Sequence, residues 1–200
     1  MKSFKEHYTE KQLQEEGIGN FLKGAALSAG LALGTPAIGH AQVTANMLFP
    51  QIVKHEKLTH HVYMDTKNHP TIGIGVNLDN MNNRKTLAKM GVDVNALIKG
   101  KIDLNDNQVR QLYDINFNRA LADAKKFIPT LNSLPLNVQK AIIDMSFNIG
   151  YNKLSQFTNL KDALTKRDFK RAAHEMMNSL WARQVKTRAV DLANMVKTAS

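Results

Sequence analysis

Apolar residues recur at helical spacing over most of this chain, and in one short central stretch they alternate instead. Leu48, Ile52 and Leu58 share the core face of an amphipathic run, which predicts a helix with Glu56 near its C-terminal end. Two short alternating runs follow, Val62-Tyr63-Met64-Asp65 and Thr71-Ile72-Gly73-Ile74-Gly75-Val76. Between them Thr66-Lys67-Asn68-His69-Pro70 is turn chemistry, so the pair predicts a β-hairpin. A hairpin centred on Asn68 would set Asp65 directly opposite Thr71. Short helices are expected around residues 84–90 and 94–98. From Asn105 the pattern stays helical: Asn105 and Gln108 form a capping box ahead of Val109, Leu112, Tyr113, Ala120 and Ala124. Val138, Ala141, Ile142, Met145 and Ile149 mark residues 136–149 as the central buried helix. Thr165 and Asp168 read as a second capping box before Phe169, and a last helix is expected over residues 187–197. The class is α+β, mainly α. Residues 42–104 form a small lobe of helix and hairpin, and residues 105–200 an all-helical lobe.

The first 41 residues stand apart. Residues 2–16 are strongly charged, with Phe4, Tyr8 and Leu13 their only large apolar side chains. Residues 24–38 form an Ala/Gly/Leu stretch broken by Gly30, Gly34 and Pro36, too short and too glycine-rich for a membrane span. Lys23 before this stretch, and small residues at Gly39 and Ala41, fit signal-type cleavage ahead of Gln42. The long, neutral segment before it is unlike a signal n-region. A signal, a signal-anchor, a propeptide and a plain extension all remain open for residues 1–41.

Charge narrows the partners. The net charge is +10, yet residues 1–41 carry four Lys and four Glu, which cancel. The excess therefore lies in residues 42–200, where 23 basic side chains face 13 acidic ones. A basic surface suits a polyanion: nucleic acid, anionic lipid, or the phosphates and carboxylates of a bacterial wall. No RRM, KH, zinc-finger or helix-turn-helix signature supports specific nucleic-acid binding. With no cysteine, disulfides and thiolate metal sites are excluded.

Glu56 at a helix end and Asp65 on a hairpin, with the Thr71 hydroxyl beside it, can flank a bond from two sides. Glycoside hydrolysis uses such a pair, one carboxylic acid protonating the leaving oxygen and the other serving the opposite face. A competing pattern fails: His55-Glu56 resembles the His-Glu-x-x-His of zinc proteases, but the next histidine, His60, comes five residues on and off the same helix face. Trp181 could stack on a sugar, but an indole between helices is more often core, and core is the expectation.

Glu56, eight residues, Asp65, five residues, Thr71 and then Ile72-Gly73-Ile74-Gly75 resembles the signature of the T-even bacteriophage lysozymes, glycoside hydrolase family 24. The resemblance continues through Met145 to Gly150, Phe157-Thr158-Asn159, Ser179-Leu180-Trp181, Gln184, Arg188 and Ala189, and runs from about Met47 to the C-terminus. It implies a lysozyme-like two-lobed fold and a peptidoglycan hydrolase, mostly inverting, that needs no metal or organic cofactor. Glu56 would be the general acid, in a water-poor setting. Asp65 would stay ionised, and Thr71 would position water or substrate. Gly73 and Gly75 would leave room for the glycan, with Asn148, Phe157 and Gln184 as further substrate contacts. Arg188 matches a family arginine that pairs with the glutamate, and is expected to orient Glu56. The resemblance further implies a phage-encoded monomer acting on periplasmic peptidoglycan, as an endolysin or inside the virion. Family endolysins can carry an Ala/Gly-rich signal-anchor in transient contact with membrane. The chain's opening is also similar to prohead-targeting propeptides, whose cleavage site Leu13-Gln14-Glu15 would satisfy. Lys57 stands where the family has glycine. Val76 and Asn116 replace an ion pair of the best-known members, and Asn148 replaces a glutamine. The alternative is a non-catalytic wall-binding virion protein using the basic helical lobe.

Overall fold

The computed structural model describes residues 41–199 apart from 57, 66 and 67, so the expectations for residues 1–40 and for Lys57 fall outside the described residues. Helix α1 (Ala45–His55) is capped by Thr44, whose hydroxyl accepts from the Met47 amide, and buries Leu48 and Ile52. Glu56 ends it in extended backbone (ψ 149°), with its own N–H returned to the Ile52 carbonyl at 2.8 Å. The chain thereby turns from helix into strand at the glutamate itself.

A three-stranded antiparallel sheet follows in the order β1 (Leu58–Met64), β2 (Pro70–Ile74), β3 (Val76–Asn77). Leu58 starts a strand instead of closing the helical face expected for it. The hairpin register also departs from expectation. Thr71 pairs with Tyr63 and Pro70 with Met64, while the Asp65 N–H reaches the His69 carbonyl at 2.9 Å. Asp65 is thus opposite His69, not Thr71. The turn chemistry explains the shift. Asn68 adopts φ 63° and donates its N–H to the Asp65 carbonyl at 3.0 Å, while Asp65 Oδ1 accepts the His69 N–H at 2.9 Å. Asp and Asn favour such local bonds and tolerate the left-handed region. A shift of two positions preserves the face, so Asp65 and Thr71 become diagonal neighbours.

The third strand was not expected. Ile72 pairs with Val76, closing a turn over Gly73, Ile74 and Gly75 in which both glycines have positive φ, 66° and 84°. L-residues with a Cβ resist that region, so the Ile-Gly-Ile-Gly pattern is first of all a turn requirement.

Beyond the sheet come α2 (Met81–Lys89), α3 (Val94–Ile98), α4 (Asp106–Phe127), a 3₁₀ turn (Leu131–Ser133), α5 (Leu136–Leu154, kinked at Gly150), α6 (Thr158–Thr165), α7 (Phe169–Met177), α8 (Leu180–Val185) and α9 (Thr187–Lys197). The α4 capping box forms from both sides, Asn105 to the Gln108 amide and Gln108 to the Asn105 amide. The second expected box does not form. Thr165 ends α6 and bonds the Lys161 carbonyl, and Asp168 alone caps α7 through the Arg171 amide. Helices α6 and α8, too short for a clear repeat, were not anticipated. No helix among the described residues is long and apolar enough to cross a membrane.

Two hydrophobic clusters result. The smaller gathers Ile72, Val76, Leu78, Leu87, Val92, Leu97, Leu104, Val109 and Leu112 beneath the sheet. The larger is built on α4, α5, α7 and α9, and takes in Leu48 and Ile52 of α1. Helix α1 therefore precedes the hairpin in sequence but packs with the helical part. Its hold there includes the Tyr113 hydroxyl, which donates to the Ala45 carbonyl at 2.7 Å. Helix α4 feeds both clusters, Val109 and Leu112 into one and Tyr113 and Phe117 into the other. Buried Gln139 reaches the Ala41 carbonyl at 3.0 Å and the Val43 amide at 3.4 Å, tying the segment before α1 to the start of α5.

Candidate active site

Glu56 sits where α1 gives way to β1, its side chain 21% exposed. Arg188 of α9, only 6% exposed, donates from Nη1 to Glu56 Oε1 at 2.5 Å and from Nε to Asp144 Oδ1 at 2.7 Å. Asp144 is fully buried in α5, and its other oxygen accepts from Gln51 Nε2 at 2.6 Å. Four residues from α1, its C-cap, α5 and α9 thus form one chain: Gln51, Asp144, Arg188, Glu56. Burial pulls the Arg188 pKa down, but Asp144 and Glu56 together outweigh it and raise it, so the guanidinium stays charged. Its Nη2 has no hydrogen-bond partner among the described residues. On its other side Glu56 meets the hairpin: a Cβ on Gly75 would lie 3.1 Å from Glu56 Oε2.

The hairpin supplies the second carboxyl. Asp65, half-buried, holds its turn through the His69 amide. His69 in turn binds Asp79 at 2.6 Å. Tyr63 lies near enough to both carboxylates to feel them. Burial chiefly, then the Glu56 and Asp65 charges, raise its phenol above the ordinary 10.0. Thr71 is 3% exposed and donates its hydroxyl to the His69 carbonyl at 3.1 Å, so it braces the turn that carries Asp65. The two glycines separate in role. Gly75 makes room for Glu56, whereas a Cβ on buried Gly73 would lie 3.2 Å from Leu112. The missing Gly73 side chain thus leaves room for Leu112 of the core.

On the helical side Trp181 is 5% exposed and belongs to the larger cluster, as its setting between helices suggested. Its indole N–H donates to Asn148 Oδ1 at 2.9 Å and its ring meets Phe157 edge-on at 6.4 Å. Phe157, Trp181 and Gln184 line a cavity of about 550 Å³, with Glu175 and Lys153 on its wall. Asn148 therefore supports that wall through Trp181.

The histidines disperse. His60 pairs with Asp106 at 2.7 Å, His69 with Asp79, and His55 lies 3.7 Å from Asp191. Val76 and Asn116 are both buried. Val76 joins the smaller cluster, and Asn116 donates to the Leu112 carbonyl of its own helix at 2.7 Å. Sequence reasoning missed Asp144 and Gln51. One signal was present: Asp144 is the sole charged residue between positions 141 and 152, inside an apolar helix. A charge in such a place must be paired.

A small sheet and a helical bundle, with one carboxyl at the helix–strand junction and another on the hairpin turn, define a lysozyme-like α+β domain. Residues 53–194 match the phage lysozyme family, and the chain belongs to it. Among characterised proteins it is similar to the probable T4-type lysozyme 1 of Dictyostelium discoideum, 28% identical over 72% of this chain and 89% of the relative. It is also similar to the pre-baseplate central spike protein Gp5 of Enterobacteria phage T4, 25% identical over 78% of this chain but only 28% of that longer protein. Membership places the chain among peptidoglycan hydrolases at the level of the family.

Proposed function

We propose that this protein is a phage-encoded muramidase that hydrolyses the β-1,4 bond between N-acetylmuramic acid and N-acetylglucosamine in bacterial peptidoglycan. One observation carries the proposal. Glu56 is fixed by Arg188 on one side, closed against Gly75 on the other, and left 21% exposed, with Tyr63 near enough to feel both its charge and that of Asp65 on the hairpin turn. A general acid needs that combination of fixed geometry and access to the leaving oxygen. Glu56 protonates that oxygen. Asp65 stays ionised, steers water to the opposite face and opposes the positive charge that develops on the sugar, which inverts the anomeric centre. Thr71 acts by holding the hairpin turn on which Asp65 rides. The cavity of Phe157, Trp181 and Gln184, with Asn148 behind it, takes the wall polymer beyond the scissile bond. The lysozyme domain begins near residue 42 and acts as a monomer, with residues 1–40 dispensable for its fold. We keep Ala41 with the domain, because Gln139 holds its carbonyl.

The test is Glu56→Gln on purified peptidoglycan, reading release of reducing ends. A loss of about 10²-fold or more, with unchanged thermal unfolding, is expected when a general acid is removed. Full activity in that variant would reject Glu56 as the acid. A binding-only wall protein, relying on its basic charge, would sediment with peptidoglycan and release no ends even with Glu56 intact.

A further inference from the structure

Arg188 poses a chemical problem for the acid it holds. A cation 2.5 Å from a carboxyl favours the ionised form, while a general acid must reach the substrate protonated. Asp144 offers the resolution. It is fully buried, takes the Nε edge of the same guanidinium at 2.7 Å, and is oriented by the Gln51 amide at 2.6 Å on its other oxygen. A buried carboxylate is stable only when paired, so the Asp144 charge is committed to Arg188. Glu56, on the Nη1 edge, is the partly exposed member. One cation between two carboxylates leaves one negative charge in excess. Protonating Glu56 makes the cluster neutral, whereas without Asp144 it would leave a buried cation unpaired.

We propose that Asp144 is a positioning residue that neutralises Arg188, so that the guanidinium holds Glu56 in place without holding it ionised. The proposal rests on the reading of Glu56 as the acid. The groups facing the cluster are Lys54 and His55 of α1, Tyr63 of β1 with Asp65 beyond it, Tyr113 of α4 beside Asp144, and Asp191 of α9. Burial chiefly lowers His55 below 6.5, opposed by Asp144, and Tyr63 is raised above 10.0. Both shifts move these groups away from neutral pH, where the ring and the phenol stay uncharged.

The experiment is a pH–rate profile of the full chain on purified peptidoglycan. Asp144→Asn keeps the shape but removes the charge, and should move the alkaline limb to lower pH by about one unit or more, the effect of an uncompensated neighbouring cation. The plateau at lower pH should survive within a few-fold. A plateau that drops while the limb stays put would mean that Asp144 only fills and braces, and overturns the proposal. Should D144N fail to fold, Arg188→Gln and the double variant carry the test. R188Q should move the limb to higher pH, and adding D144N, which leaves no buried charge, should return it toward wild type. A double variant whose limb stays with R188Q overturns the proposal as well. Glu56→Gln in the same assay separates the two claims. If it remains active, the assignment of the acid has failed. If it is dead while D144N leaves the limb unmoved, only the role of Asp144 has failed.

Discussion

The two hydrophobic clusters differ in size and in what they hold. Thirty buried side chains among the described residues make up the larger, against nine in the smaller. Glu56 is mounted from the larger: α1 leads into it, and Arg188 and Asp144 reach it from α9 and α5. Asp65 and Thr71 are mounted on the smaller, at the tip of a hairpin whose turn is closed by the bonds of Asp65, Asn68 and His69. Glu56, the proposed acid, is thus tied into the deep core by charge-assisted bonds. Asp65, proposed to act as the ionised partner, sits on a light, mostly locally bonded element. Elements with few buried contacts open first, so the hairpin is where adjustment to a glycan is cheapest.

The largest expected effect comes from removing charge on the lighter side. Asp65→Asn should cut peptidoglycan hydrolysis by about 10²- to 10⁴-fold. The Asn side-chain oxygen can still accept the His69 amide, so stability should change by no more than about 1 kcal/mol. A large fall in melting temperature would mean that Asp65 serves the turn more than the chemistry, and the contrast between the halves would collapse.

Cavities in the two cores test the comparison next. Ile142→Ala, at the centre of the larger cluster, should cost about 2–5 kcal/mol and lower the unfolding of the whole domain. Leu97→Ala, equally buried in the smaller, carries the same local cost but should act regionally. Amide exchange in β1–β3 and α2–α3 should quicken and activity should fall, while exchange in α5 and α9 changes little. Equal acceleration in both regions would show a single cooperative unit.

Gly75→Ala probes the seam between them. Its φ of 84° disfavours any Cβ, at about 1 kcal/mol, and that Cβ would press on Glu56 Oε2. Activity should drop about tenfold or more, because small misplacements of a reacting group are costly. Gly91, also at positive φ (78°) but with nothing within 4 Å of its missing Cβ, is the control. Gly91→Ala should show the strain and keep the activity.

The same division governs what the sequence could reveal. Glu56, Asp65 and Thr71 lie within sixteen residues, and strand alternation, turn residues and a helix end are local signals. The long helices were legible because their apolar repeats and the Asn105–Gln108 box are local too. The hairpin register was misread by two positions because Asp65 bonds within its own turn, a choice among several that the residue types alone allow. Thr165–Asp168 went wrong for a similar reason, since the box pattern also fits a helix end followed by a single cap. Gln51 and Arg188 lie 137 positions apart, with Asp144 between them, and only packing brings the three together. Arg188 was reached through family resemblance, while Asp144 matched nothing in the motif and needed its burial to be seen.

The smallest effect separates the regions by pH. His55, the last residue of α1, has a side chain 6% exposed and 3.7 Å from Asp191. Burial lowers its pKa from 6.5; Asp144 and Asp191 pull it up, and Arg188 and Lys54 push it down. In the unfolded chain the imidazole takes its proton at its ordinary value, while in the folded protein it resists until a lower pH. The contribution of the neutral, buried ring to stability is therefore whole above 6.5, and is lost as pH falls from there toward the folded value. His55→Gln removes that titration, so its melting temperature should fall less than that of the wild type between about pH 7 and pH 5. Because His55 belongs to the side that carries Glu56, the flattening should appear in the exchange of α1, α5 and α9 and be weak in the hairpin, where His60 faces Asp106 and His69 faces Asp79. Identical pH slopes for wild type and variant would show that burial of His55 carries no titration-linked stability. An equal flattening in both regions would show that the two cores melt as one.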